Sequence, residues 1–260
     1  MCLPARLTEL RDCKGALRAH LYGTGGDQHP YGVVFFAPRG LELKDGEGGL
    51  AALPSTESNE LGLSSEKAIQ LDQHCSDVHA WAEGFAVRAG LPQGQCGDVA
   101  LAALLHDCGK ADHRFQAFLM GGDPYGQDMA KPLAKSGRPR LPDGAWERAG
   151  LPPHWRHEAL SVRLAIAAPE FKQAHDPRLV LWLIGAHHGH GRPLYPHADP
   201  KEHGPQSLAF DFEGLDWAQI FEALKEKYGI WGLARLEAFV RLADHRASEA
   251  AAQERKEAAE

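Results

Sequence analysis

Asp98-Val99-Ala100-Leu101-Ala102-Ala103-Leu104-Leu105-His106-Asp107-Cys108-Gly109-Lys110-Ala111 is the stretch on which the fold turns. From Val99 to Leu105 it is apolar nearly all round, which predicts a central helix, N-capped by Asp98 and stopped at Gly109. His106 and Asp107 fall in the last turn of that helix. Neighbouring helical residues point about 100° apart, so an imidazole and a carboxylate there converge on one centre only if it lies off the helix end. From that position a carboxylate, with two oxygens, can bridge two cations.

On the N-terminal side, Leu71, His74, Val78, Trp81 and Phe85 recur at three- and four-residue intervals. They predict one helical face, in a helix starting from about residue 66 and closing near Gly90-Leu91-Pro92, with His74 on its buried side. On the C-terminal side, Asp112 reads as the N-cap of a third helix carrying Phe115, Phe118 and Leu119 and closed by Gly121-Gly122. Residues 121–155 are rich in Pro and Gly and carry Lys131, Lys135, Arg138 and Arg140. They read as a long loop, of the kind that is usually functional or disordered. Helices are then expected from Arg156 to Ala168, from Pro177 to His188, over about 215–228 and over 231–252, the last bearing Asp244. A second loop, Gly189 to Pro205, contains His190 and Arg192.

Residues 1–65 differ from the rest. Their strand-like run, Tyr31-Gly32-Val33-Val34-Phe35-Phe36, has no evident partner strand, and a polar, glycine-rich linker follows from Lys44 to Ser65. The expected class is therefore mainly α. A helical bundle occupies residues 66–252, preceded by a short N-terminal β-containing extension over 1–65 and followed by a tail at 253–260.

The 260 residues are 43% hydrophobic and 24% charged, a globular composition, and no apolar run approaches the roughly 18 residues of a membrane span. The opening residues lack the apolar core of a secretory signal, so a cytoplasmic location without membrane contact is expected. Five cysteines without a C-x-x-C pair suggest free thiols rather than a disulfide framework or a thiolate zinc site. A net charge of −7 argues against a broad basic face for duplex DNA. The unusual count is 15 histidines.

Taken singly, each candidate has an ordinary explanation. His74 suits a hydrogen-bonded core residue, His106-Asp107 and His187-His188 suit helix C-termini, and Asp244 suits a surface carboxylate beside Arg241 or Arg246. That explanation has to hold at every position at once.

The order His74, His106-Asp107, His157, His187-His188, Asp244 resembles the HD superfamily of metal-dependent phosphohydrolases over roughly residues 70–250. Within it, His106-Asp107-Cys108-Gly109-Lys110-Ala111 with Phe115-Gln116, Arg156-His157-Glu158 and His187-His188-Gly189 is similar to the HD nuclease of type I CRISPR-associated nuclease-helicases. The resemblance implies an HD-domain bundle and two divalent ions. One would be held by His74, His106, Asp107 and Asp244, the other by Asp107, His157, His187 and His188. Imidazole with carboxylate suits Mn, Fe, Co, Ni or Zn better than Ca or Mg. By the same resemblance Asp107 and Lys110 are the catalytic residues, with Lys110 near the scissile phosphate.

Cys108 stands where an apolar residue is expected and suggests redox sensitivity. Single-stranded DNA is the expected substrate, because a flexible strand can bend into a site recessed between helices. Lys131, Lys135, Arg138, Arg140, His190 and Arg192 are candidate contacts to it. The family works with a helicase domain or subunit and an RNA-guided surveillance complex in antiviral defence. Since this chain lacks a phosphate-binding Gly-Lys-Ser/Thr loop, residues 1–65 are read as a remnant of a preceding helicase region. Two competing readings use the same residues: a phosphohydrolase of nucleotides or cyclic nucleotides, and a non-catalytic docking module stabilised by metal.

Overall fold

The computed structural model describes residues 18–22, 32–36, 68–123, 131–138, 140–152, 155–189, 191 and 210–257. The chain divides into two units, Met1–Pro54 and Ser55–Glu260. In the first, strand β1 (Arg18–Tyr22) pairs antiparallel with β2 (Gly32–Phe36), Arg18 lying opposite Phe36 and Tyr22 opposite Gly32. The apolar run thus has the partner that the sequence reading did not find. Arg-Ala-His-Leu-Tyr alternates polar and apolar residues over only five positions, too short a run for its period to stand out. The expected linker at Lys44–Ser65 lies outside the described residues.

The second unit opens with β3 (Ala68–Gln70), where a helix was expected to have begun. Three residues carry no readable period, and what makes them a strand is distant in sequence. β3 pairs antiparallel with β4 (Leu133–Ser136), with Ala68 opposite Ser136. Helix α1 (Leu71–Arg88) follows at once, its first N–H donating to the Pro132 carbonyl at 2.8 Å. Its buried face runs through Leu71, His74, Cys75, Val78, Ala82 and Ala86, whereas Trp81, expected on that face, is exposed. Ala82 and Ala86 on that face are fully buried, and the next helix packs against α1.

That helix, α2 (Gln93–Leu105), begins after Pro92 and not at Asp98. Asp98 lies inside it, buried, and accepts from the backbone N–H groups of His175 (2.8 Å) and Asp176 (3.0 Å). It therefore caps a segment some 77 residues away. A 3₁₀ turn (Cys108–Ala111) leads to α3 (His113–Leu119), whose N-cap Asp112 accepts from Arg114 and Phe115 N–H as expected. After β4 come α4 (Ala145–Arg148), α5 (His157–Ala167), a 3₁₀ turn (Pro169–Gln173), α6 (Pro177–Ala186), α7 (Trp217–Tyr228) and α8 (Ile230–Glu257).

The main core joins α1, α2, α5, α6, α7 and α8. Helix α6 is its axis: Leu179 through Ile184 are all fully buried, each contributing about 1.5–3 kcal/mol of transfer free energy. Trp182 stacks on Phe221 and Trp217 with centroids at 4.7 and 5.1 Å, and its indole N–H donates to Glu237 at 2.7 Å. Residues 121–155, expected to be loop, instead contain β4 and α4. They build a second core from Phe115, Phe118, Leu119, Leu141, Ala145, Leu151 and Trp155. Dispersed apolar residues between prolines and glycines gave no period to read, and Phe115 and Phe118 of α3 supply the surface that they fold onto.

Candidate metal centre

Three helix ends and two helix faces meet at Asp107. Helix α2 stops at Leu105 with His106 as C-cap, which leaves Asp107 in the turn before the 3₁₀ segment. Its two oxygens face different groups. Oδ2 lies 3.5 Å from His74 Nε2 of α1, 3.3 Å from His106 Nε2 and 2.6 Å from Lys110 Nζ. Oδ1 lies 3.0 Å from His157 Nε2, at the start of α5, and 3.8 Å from His187 Nε2, at the end of α6. Two groups of potential metal ligands result, sharing one carboxylate: His74, His106 and Asp107, and Asp107, His157, His187 and His188. Asp244 of α8 falls outside both but pairs with His74 Nε2 at 3.1 Å. The structure thus brings together all seven residues expected as ligands.

The rings are held by their other nitrogens. His106 Nδ1 donates to the Ala103 carbonyl at 2.7 Å and His187 Nδ1 to the Ile184 carbonyl at 2.6 Å, each three residues back on its helix. With the proton fixed on Nδ1, the Nε2 lone pair faces inward. His106 Nε2, Asp107 Oδ1, His157 Nε2 and His187 Nε2 are buried and make no hydrogen bond. Leaving several buried polar atoms unmatched in one place is costly unless something else satisfies them. Imidazole nitrogens and carboxylate oxygens converging on one spot are the donor set of a divalent transition metal, so the residues fit such ions.

The electrostatics agree. Burial would raise the Asp107 carboxyl, but the neighbouring His106 and the charge of Lys110 hold it well below the usual carboxylate range. Asp244 is likewise held low against its burial, chiefly by the bond from His74. Burial pushes His187 down to about 4 and His188 also well down, so both imidazoles are neutral at physiological pH, as a metal ligand must be.

The motif residues around the centre fasten its parts. Gly109 N–H donates to Ser161 Oγ at 2.8 Å, and a Cβ on Gly109 would stand 2.2 Å from the His157 carbonyl oxygen. Only glycine lets the turn bearing Asp107 lie against the first turn of α5. Gln116 Nε2 donates to the carbonyls of Lys110 (2.6 Å) and Leu133 (2.9 Å), while its Oε1 accepts from Leu133 N–H at 2.7 Å. The Gln116 side chain thereby locks the turn to β4.

Lys110 is buried against Asp107, not exposed at a helix end. Cys108 donates to the Ser161 carbonyl, and burial pushes its thiol up to about 12, which disfavours the thiolate form. One residue to which the sequence gave no role is Glu158, fully buried beside His157. The sequence names it only as part of Arg156-His157-Glu158, and its burial is a fact of the fold.

Among the expected nucleic-acid contacts, Lys131, Arg138 and Arg140 are exposed on or beside β4. Lys131 pairs with Asp72 at 3.4 Å and Arg140 with Asp143 at 3.1 Å, while Lys135 Nζ donates to Ser248 Oγ at 2.8 Å. His190 and Arg192 lie outside the described residues. No helix among the described residues is long and apolar enough to cross a membrane.

A helical bundle that gathers a His-Asp pair with further histidines around a candidate divalent-metal site is the arrangement of an HD domain. The family described as Cas3, HD domain, matches residues 61–255, and the chain belongs to that family. Membership places it among the metal-dependent nucleases of CRISPR systems. Comparison with curated proteins and with solved structures returned no match.

Proposed function

We propose that this chain hydrolyses single-stranded DNA with two divalent transition-metal ions, one held by His74, His106, Asp107 and Asp244 and the other by Asp107, His157, His187 and His188. The observation that carries the reading is the division of Asp107: Oδ2 faces His74 and His106, and Oδ1 faces His157 and His187. When bound, such a pair supplies a water ionised near neutral pH and positive charge for the departing oxygen. The protein supplies the rest. His106 and His187, each tethered to a carbonyl, orient their lone pairs in advance. Lys110 carries an ammonium group within 2.6 Å of Asp107, placed to meet negative charge developing on a phosphate seated there.

Substrate choice follows from burial. His106, Asp107 and His187 are at most 2% exposed, so a phosphodiester must be drawn down to them. A single strand can bend to do so and a duplex cannot. Lys131, Lys135, Arg138 and Arg140 on and beside β4 form a rim whose strand partner β3 leads directly into the helix bearing His74. Exposed ion pairs such as Lys131–Asp72 are worth at most about 1 kcal/mol, so these cations can exchange a carboxylate for a phosphate. In the cell the strand would come from a helicase domain or subunit recruited to an RNA-guided surveillance complex, in antiviral interference.

The test is metal-stripped protein reloaded separately with manganese, cobalt, nickel or magnesium, assayed on circular single-stranded DNA, duplex DNA and mononucleotides beside Asp107→Ala. Cleavage of the circle with a transition metal, lost in the variant, is expected. Mononucleotide turnover with the circle left intact would replace this reading by that of a nucleotide phosphohydrolase.

A further inference from the structure

His106 and His187 each stand at a helix C-cap, where the carbonyl three residues back is available to fix Nδ1. His157 cannot be held in that way. It is the first residue of α5, so no helical carbonyl precedes it, and its Nδ1 needs an acceptor from elsewhere. Glu158 stands there: its Oε2 lies 3.4 Å from His157 Nδ1, on the side of the ring away from Nε2, which faces Asp107 Oδ1 at 3.0 Å. Glu158 is fully buried and its Oε2 makes no hydrogen bond. Its other oxygen is clamped by Arg156, which donates from Nε at 3.1 Å and from Nη2 at 2.5 Å. A buried acid held on one oxygen, with its free oxygen 3.4 Å from a ring nitrogen, is within reach of the role of a carboxylate that orients a metal-binding histidine.

We propose that Glu158 is the positioning residue of His157, with Arg156 fixing Glu158 in turn. It thereby sets the affinity of the ion bound by Asp107, His157, His187 and His188, an inference that rests on the ligand assignment of the preceding section. Arg156, Glu158 and His157 form a line from the half-buried rim to the centre. The carboxylate keeps the imidazole proton on Nδ1 and strengthens the Nε2 lone pair. Without it, the ring at the head of α5 is free to turn or to place its proton on Nε2.

The experiment is cobalt titration of the metal-stripped full chain, followed by visible absorption, for wild type, Glu158→Gln, Arg156→Gln, His157→Ala and the His157→Ala, Glu158→Gln double variant. Circular dichroism melting checks that each is folded. Wild type should take up two ions. Glu158→Gln should weaken one of them about 10–100-fold and leave the other unchanged. In the His157→Ala background the same change should cost nothing further, because the residue acts through that ring. Arg156→Gln should act in the same direction more weakly, and it decides the matter if Glu158→Gln does not fold. Unaltered affinity in Glu158→Gln, or an equal loss with and without His157, overturns the proposal while the metal centre stands. A wild-type chain that binds no cobalt overturns both.

Discussion

Lys110 carries its ammonium group into a site where lysine is seldom found, buried and 2.6 Å from a carboxylate. Burial alone would lower its pKa, but the charges of Asp107 and Asp244 raise it, so the cation is kept where water cannot screen it. A charge of that kind acts on a transition state far more strongly than one at the surface. Lys110→Met should therefore lower kcat on single-stranded DNA by about 10²–10³ while the chain still takes up two ions. Metal titration beside single-turnover kinetics checks this. Loss of both ions would make Lys110 a structural partner of Asp107 instead. The sequence placed Lys110 in the motif but could not place its side chain, because burial at a chain turn depends on α5 packing over it.

At the scale of elements, the centre depends on how closely the turn after α2 lies against α5. Gly109 is where they touch, and a methyl group there would meet the His157 backbone oxygen at 2.2 Å and the Ser161 nitrogen at 2.7 Å. Neither is the end of a flexible side chain, so one element must shift. Gly109→Ala should separate the Oδ1 side of Asp107 from His157 and cost about 1–3 kcal/mol of stability. Thermal melting of metal-free protein reads the second effect. Cobalt stoichiometry reads the first, with one ion retained on the His74–His106 side and the other lost. Two ions bound as in wild type would mean that the contact is not needed.

The elements also mark what could be read in advance. Asp112 was legible as an N-cap because its partners are two and three residues away. Asp98 looked equally like a cap, yet its partners are His175 and Asp176, and only the fold brings them near. Spacing put His74, His157, His187 and His188 where helices could present them, and the resemblance to the HD phosphohydrolases named all seven candidate ligands. That Asp107 could serve two ions was expected from its place off the helix end and from the resemblance; which of its oxygens faces which histidines was not legible, nor was the role of Glu158, because both are facts about convergence.

Over the whole molecule, a chain of net charge −7 would have to hold a polyanion if its substrate is single-stranded DNA. Long-range attraction works against it, so capture must rest on a few cations near the centre. Exposed Lys131, Arg138 and Arg140, with half-buried Lys135, are the four that β4 and its flanks provide. Each phosphate neutralised on a single strand contributes about 0.7 to the slope of log K against log salt, so four contacts give a slope of about −3. Fluorescence anisotropy of a labelled single-stranded oligonucleotide, titrated onto metal-free protein over a range of salt, measures this directly. Replacing all four with glutamine should bring the slope close to zero without changing the metal content, because none of them belongs to the ligand set. A wild-type slope of about −7 or steeper would instead require a basic face elsewhere on the chain. A slope that survives the fourfold change would move the strand's path away from β4.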